Sequence, residues 1–478
     1  MKLINYTFML FIIIVVEGYI VLSTEILAIR QTIPYVGSGT DTVSIIIAAV
    51  LMPLAFGYHY GGRFKPYKLF GHLITTRKKL ILNILLASSI LLVGMSHGFI
   101  NKFFKLLPYV DINDRILQTS IYSALFLVLP VYLLGQTVPL VSRYFSKEKL
   151  AHITGKILFF STTGSFLGAI GSTLVLMATI GVHHTVSLNF LLSTFIVILL
   201  SKRIKSKAVI LSTLITLAAI FLNSDRVMDE YKIRRNNLYN TIVTLETKKG
   251  ERWLYLNNNA SSKFTKDRKK HFYIEFAEQI ALYPILGSVP PRNVLIIGSG
   301  GFTFGHNDKN NLYTFVDIDK DLKGVAEKYI LKEPLGENKT FIPKPARAFL
   351  NETDQKYDVI YLDAYLGGVS IPEHLVTIEF FEQVKAHMKD DAVLISNMIL
   401  SPHFNNIFSR NIDNTFRAVF PHVSRHIIGN RYDLWSDSET LLTNVAYIYK
   451  HNANMDTGGV YTDNKNTVFY DKPKSLVP

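Results

Sequence analysis

The sequence predicts two unlike parts: a multi-pass α-helical membrane bundle, and after it an α/β domain built on a mostly parallel sheet. Three observations carry this. Apolar stretches of roughly 16–22 residues, lengths suited to a bilayer, follow one another before about residue 223. A polar break, NSDRVMDEYKIRRN at 223–236, ends them. Beyond it, short apolar runs alternate with helical patterns, as in a sheet covered on both faces. The expected boundaries are 1–223 for the bundle, 224–286 for a linker, hairpin and helix, and 287–478 for the α/β domain.

In the first part, spans are expected near 6–28, 43–60, 79–97, 118–137, 157–181, 185–201 and 208–222, the last two being short. The first is not a cleaved signal peptide, because Glu17 interrupts it, no small-residue cleavage site closes it, and further spans follow. Glu17 and Glu25 fall on roughly one face of that span. Ionisable groups at membrane depth point into the bundle as functional groups, or pair with a neighbouring helix, or reach the interface. Gly164, Gly168 and Gly171 offer a small-residue face for close helix packing, and Pro130 is expected to kink its helix. His183 and His184 stand together in a short interspan loop with no further ligand at metal spacing, so no metal site is expected.

The formal charge of +14 suggests nucleic acid, but much of the basic excess lies between spans, in RFKPYK and TRKKL (63–80), SRYFSKEK (142–149) and KRIKSK (202–207). Solvated positive-inside loops explain it, so the expected partner is the lipid bilayer and not nucleic acid. The chain has no cysteine, which excludes disulfides, thiolate metal sites and a cysteine nucleophile. If those loops are cytoplasmic, a true seventh span puts the α/β domain outside. A domain using an intracellular nucleotide needs the reverse, so either 208–222 dips without crossing, or another span is misplaced, or the domain is external with a different role.

Segments 238–247 and 252–257, joined by KKGE, predict a β-hairpin, and 270–286 predicts a helix. Strand and helix signals then alternate through VLIIG (294–298), YTFVD (313–317), DLKGVAEKYI (321–330), YDVIYLD (357–363), EFFEQVKAHM (379–388) and AVLISNMI (392–399). In such sheets ligands sit at the carboxyl ends of strands. The first strand ends in a glycine bend, Gly298, Gly300 and Gly301. The second ends in Asp317, 19 residues beyond Gly298, close to the offset at which an acid accepts hydrogen bonds from ribose hydroxyls. Asp363 closes YDVIYL at the same sheet edge, where a carboxylate can hold an ammonium group and accept its proton. His374 lies nearby, but without a serine at a strand-to-helix elbow it makes no nucleophilic triad.

The order LYNTIVTLE, RWLYLNNNASSKFTKD, FYIEFAEQIALYPIL, NVLIIGSGG, YTFVDID, PARAFL, YDVIYLDAY, IPEHLVTIEFF resembles spermidine synthase, the polyamine aminopropyltransferase family, over about 237–400, with a weaker echo in YTDNKN (461–466). EILAIRQTIPYVGSG (25–39), GYHYGGR (57–63) and GKILFFSTTGSFLGAIGSTLVL (155–176) are similar to its membrane-fused branch.

The resemblance implies an α/β methyltransferase-like (Rossmann-type) domain with a small β-stranded N-terminal subdomain. It implies decarboxylated S-adenosylmethionine as co-substrate, with no permanently bound cofactor, and a small-molecule amine such as putrescine as acceptor. On it, Asp363 is the catalytic proton acceptor; Gly298, Gly300, Gly301, Asp317, Asn240 and Ala346 bind the nucleoside; Tyr273 and Tyr365 face the amine; and the soluble domain forms a homodimer facing the cytoplasm of a cell-membrane protein. The chain departs from the family pattern at four places. Gly301 stands where soluble synthases carry a loop aspartate, Pro345 replaces an adenine-contacting aspartate, Leu366 replaces the second acid of the paired-aspartate motif, and Ile274 replaces a histidine. Lost carboxylates weaken the complementarity for a polycation. A methyl or other alkyl transfer from S-adenosylmethionine is therefore the second reading, and a non-catalytic nucleotide- or polyamine-binding domain on a transporter or sensor is the third.

Overall fold

The computed structural model describes residues 2–145, 150–365, 371–429 and 441–451. Helices occupy all seven predicted span regions: Lys2–Val36, Thr40–Arg63, Thr76–Gly94, the run Arg115–Ser142, Leu150–Ile170 with its continuation to Thr179, Val182–Leu200 and Lys207–Leu222. Six are long and apolar enough to cross a membrane. Thr76–Gly94 qualifies only together with His97–Val110, from which it is bent by 62°.

The glycine face does what its spacing predicts. A Cβ on Gly164 would lie 2.1 Å from the Val15 carbonyl oxygen, and one on Gly168 would lie 2.4 Å from that of Tyr19, so the first helix and Leu150–Ile170 pack backbone to backbone. Gly171 is looser, with only the Tyr19 ring at 3.8 Å. At Pro130 the helix continues, but a π-turn at Ala124–Val128 immediately precedes it. Proline lacks the N–H that would bond back into that turn, and widening the turn accommodates the loss. Glu17 and Glu25 are both buried inside the bundle, and neither Glu17 oxygen has a hydrogen-bond partner, so of the alternatives above neither a paired Glu17 nor an exposed Glu25 is what forms.

After the linker helix Asp225–Glu230 come four antiparallel strands in sequential order: β3 (Ile233–Asn236), β4 (Thr241–Glu246), β5 (Arg252–Leu256) and β6 (Asn259–Phe264). They follow a small exposed hairpin of the bundle, β1 (Tyr67–Leu69) and β2 (His72–Ile74). The predicted hairpin is β4–β5, and the sheet extends by one strand on each side. The helix Phe272–Ala281 leads into the main sheet of β7 (Asn293–Ile297), β8 (Leu312–Asp317), β9 (Lys339–Pro343), β10 (Tyr357–Leu362), β11 (Met388–Leu400), β12 (Ser424–Ile428) and β13 (Thr443–Lys450).

The order across this sheet is β12-β13-β11-β10-β7-β8-β9, with β13 alone running antiparallel to its neighbours β11 and β12. β10 is buried along its whole length, as its unbroken apolar run requires. Each of its large side chains contributes about 1.5–3 kcal/mol on leaving water. From β7 the chain runs outward to β8 and β9, then crosses back to β10 on the other side. The crevice at the carboxyl ends of β7 and β10 is therefore the topological switch point where ligands bind in open α/β sheets.

The domain seats on one end of the bundle. Arg30 Nε donates to the Asn237 carbonyl at 2.8 Å, Asn258 Nδ2 donates to the Pro34 carbonyl at 3.0 Å, and His97 meets Tyr231 edge to face at 5.1 Å.

Candidate active site

A cavity of about 310 Å³ opens at the switch point, lined by Gly298, Gly300, Asp317, Ala346 and Asp363 together with Asn240, Tyr273 and Tyr365. Eight of the nine residues expected at the site thus meet in one place.

The exception is Gly301, which does not line the cavity: its N–H donates to Ser262 Oγ at 2.8 Å, and a Cβ there would lie 2.9 Å from Ser262 Cβ. It packs the bend against β6, and so is a seat for the small sheet instead of a ligand contact. Gly298 has the strictest requirement. Its φ is +91°, and a Cβ would lie 2.2 Å from the Asp363 carbonyl oxygen, so only glycine lets β7 turn away beside the end of β10.

Asp317 ends β8 with both oxygens engaged: Oδ2 accepts from the Ser299 N–H at 2.9 Å and Oδ1 from the Asp319 N–H at 3.0 Å. Burial pushes its pKa up to about 6, against the pull of these amides. Asp363 follows β10. Its Oδ1 accepts from Asn397 Nδ2 at 2.9 Å and its Oδ2 from the Tyr361 hydroxyl at 3.2 Å. Burial again raises the pKa to about 6, and these two neutral donors offset it only in part. A carboxyl poised near neutrality suits proton transfer.

Two residues line the cavity with their polar groups already used. Asn240 donates its amide to Asp319 Oδ2 at 2.9 Å and accepts from Asn257 Nδ2 at 3.0 Å. The Tyr365 hydroxyl donates to the Asn397 carbonyl at 3.0 Å and accepts from the Ile399 N–H at 2.8 Å, leaving its ring as the contact surface. The Tyr273 hydroxyl donates to the Ser261 carbonyl at 2.6 Å, tying the helix 272–281 to β6.

Three groups at the site were not expected. Tyr361 and Asn397 hold Asp363. His271 lines the cavity with its ring centroid 4.4 Å from that of Tyr273, and burial first, then Lys263, lowers its pKa to about 4. It brings a neutral imidazole to the site although Ile274 replaces the family's histidine. His374, read as lying beside the pocket, also lines it, as does Pro345. Leu366 and the 461–466 echo lie outside the described residues. Among the described lining residues only Asp317 and Asp363 are acidic. Lys344 brings a positive charge, paired outward with Glu352.

Residues 274–429 match the Spermine/spermidine synthase domain. The polyamine aminopropyltransferase of Vibrio vulnificus (strain CMCP6) is 28% identical over 209 residues, covering 39% of this chain and 64% of that protein. Polyamine aminopropyltransferase 1 of Aquifex aeolicus (strain VF5) is 28% identical over 162 residues, covering 32% of this chain and 56% of that one. The chain thus spans less than two thirds of these relatives' length. A probable spermidine synthase from Corynebacterium glutamicum ATCC 13032 aligns in structure over 47% of this chain and 80% of its own, at 17% identity and a TM-score of 0.38, too loosely to argue from.

Proposed function

The chain is spermidine synthase-like through its α/β domain, and from that premise we propose that it transfers an aminopropyl group from decarboxylated S-adenosylmethionine to an amine such as putrescine. One observation carries the reading: the half-buried Asp363 carboxyl, held by Tyr361 and Asn397, shares a cavity with Asp317 beside the Gly298 bend.

In the reaction the amine lone pair attacks the aminopropyl carbon bonded to the sulfonium. The new C–N bond forms as the C–S bond breaks, its electrons return to sulfur, and neutral methylthioadenosine leaves. Asp363 first anchors the ammonium form and then takes the proton lost from nitrogen, so charge stays balanced within the cavity. Asp317 faces the ribose hydroxyls, and the backbone of Gly298 and Gly300 admits the nucleoside closely.

A second reading rests on the lining. With Gly301 turned away and Pro345 in the wall, only two carboxylates among the described residues line the cavity. That favours an acceptor of lower positive charge, or methyl transfer from ordinary S-adenosylmethionine.

The full chain in detergent, given either nucleoside with putrescine or spermidine, separates the readings by mass spectrometry. Methylthioadenosine that falls by at least about 100-fold in Asp363→Asn is the expected result. S-adenosylhomocysteine instead would establish methyl transfer, and neither product, with nucleoside binding retained, would leave a binding module.

A further inference from the structure

We propose that the joint between bundle and α/β domain is a binding site for a first-row divalent cation such as Zn²⁺, held by His183, His184 and Asp225. The two histidines occupy the first turn of the helix Val182–Leu200. Asp225 opens the linker helix Asp225–Glu230, some forty positions on, and reaches them because Lys207–Leu222 runs antiparallel along Val182–Leu200 and ends where that helix begins. No local spacing in the sequence signals this triad.

The donor atoms are already at coordination distances from one another. Asp225 Oδ1 lies 3.0 Å from His183 Nε2 and 3.2 Å from His184 Nε2, and the three groups' ligand atoms all fall within 4.8 Å. Donors about 2.0–2.2 Å from a tetrahedral zinc stand roughly 3.3 Å apart. The rings come from consecutive residues and sit with centroids 4.1 Å apart, so both nitrogens face one carboxylate oxygen.

Two imidazoles and a carboxylate favour borderline cations over Mg²⁺ or Ca²⁺, which prefer all-oxygen shells. The triad borders a solvent-connected cavity of about 770 Å³, so water can fill the remaining coordination position and the ion has a path in. A cation there fastens the linker to the bundle directly ahead of β3.

The test uses the full chain in detergent, stripped with a chelator, desalted, and titrated with Co²⁺ and then Zn²⁺. The expected result is one Co²⁺ per chain with the intense visible absorption of a low-coordinate complex, displaced by Zn²⁺. Asp225→Asn and His184→Ala should each weaken binding by at least about tenfold. His72→Ala, exposed in the hairpin between the second and third bundle helices, should not change it. The Asp225 side chain is 78% exposed, so its variant should melt like the metal-free parent. No saturable Co²⁺ binding, or equal binding in Asp225→Asn, His184→Ala and the parent, would overturn the site.

Discussion

At the scale of single residues, Asp363 sets stability against chemistry. Its pKa is about 6 in the fold, against an ordinary value of 3.8, because the charged form has lost water. A folded pKa raised above the unfolded value gives a contribution that is full below the unfolded value and is lost as pH rises through about 6. At pH 7–8 the ionised group therefore opposes folding, by about 3 kcal/mol at most. Asp363→Asn, whose new amide can donate to a rotated Tyr361 hydroxyl, is expected to raise the melting midpoint by a few degrees at pH 8 while abolishing turnover. That gain should vanish near pH 4; a melting scan at both pH values checks it. Tyr361→Phe removes a donor that favours the ionised form, so the acid limb of the pH–rate profile should move above about 6. An unmoved limb would show that another group sets it. Asp317 and Asp363 were legible in the sequence because strand ends are where chemistry gathers. Tyr361 lies two residues before Asp363 and shares its strand face. Asn397 was hidden, since only the β10–β11 register, Leu362 opposite Ser396, brings it alongside.

Among the elements, those with apolar periodicity were readable and those held by polar contacts were not. β7, β8, β10 and the core of β11 stand where their apolar runs predict. β3 (IRRN) and β6 (NASSKF) carry no such alternation; they are strands because β4 and β5 offer them open edges. Missing β6 also concealed why Gly301 cannot be the aspartate found in soluble synthases: Ser262 of β6 occupies the space a side chain would need. Gly301→Asp alone is expected to cost about 1–3 kcal/mol by overpacking. Adding Ser262→Gly should recover most of that, and thermal melting of the two variants beside the parent measures it. If the single variant is as stable as the parent, β6 is not the constraint.

On the scale of the whole molecule, the domain's position on the bundle turns the topology question into a measurement. The end bearing the domain also carries Arg30, the 37–40 turn, His97 and His183. The opposite end carries the 63–80 and 202–207 loops, tied together where Arg77 donates to the Leu200 carbonyl, and the segment around Arg143, which donates to the Gly62 carbonyl at 2.8 Å. Lys207–Leu222 lies antiparallel along Val182–Leu200 from end to end, which rules against the shallow dip considered from sequence: if one crosses, both do. If Thr76–Gly94 with His97–Val110 also counts as a span, all seven helices cross and the number of crossings is odd, with the basic loops on one side and the domain on the other. Insertion reads lysine and arginine in short loops, not the later chemistry of a folded domain. A reporter fused after Pro478 is therefore expected outside the cytoplasm, reversing the orientation that an intracellular nucleoside suggests. Paired alkaline phosphatase and green fluorescent protein fusions decide it: phosphatase activity without fluorescence is the expected pair. That outcome would require the sulfonium nucleoside to be supplied outside the cell for Asp363 to act on it. Fluorescence without phosphatase activity would mean that the charge bias of the loops is overridden and that the site draws on the cytoplasmic pool.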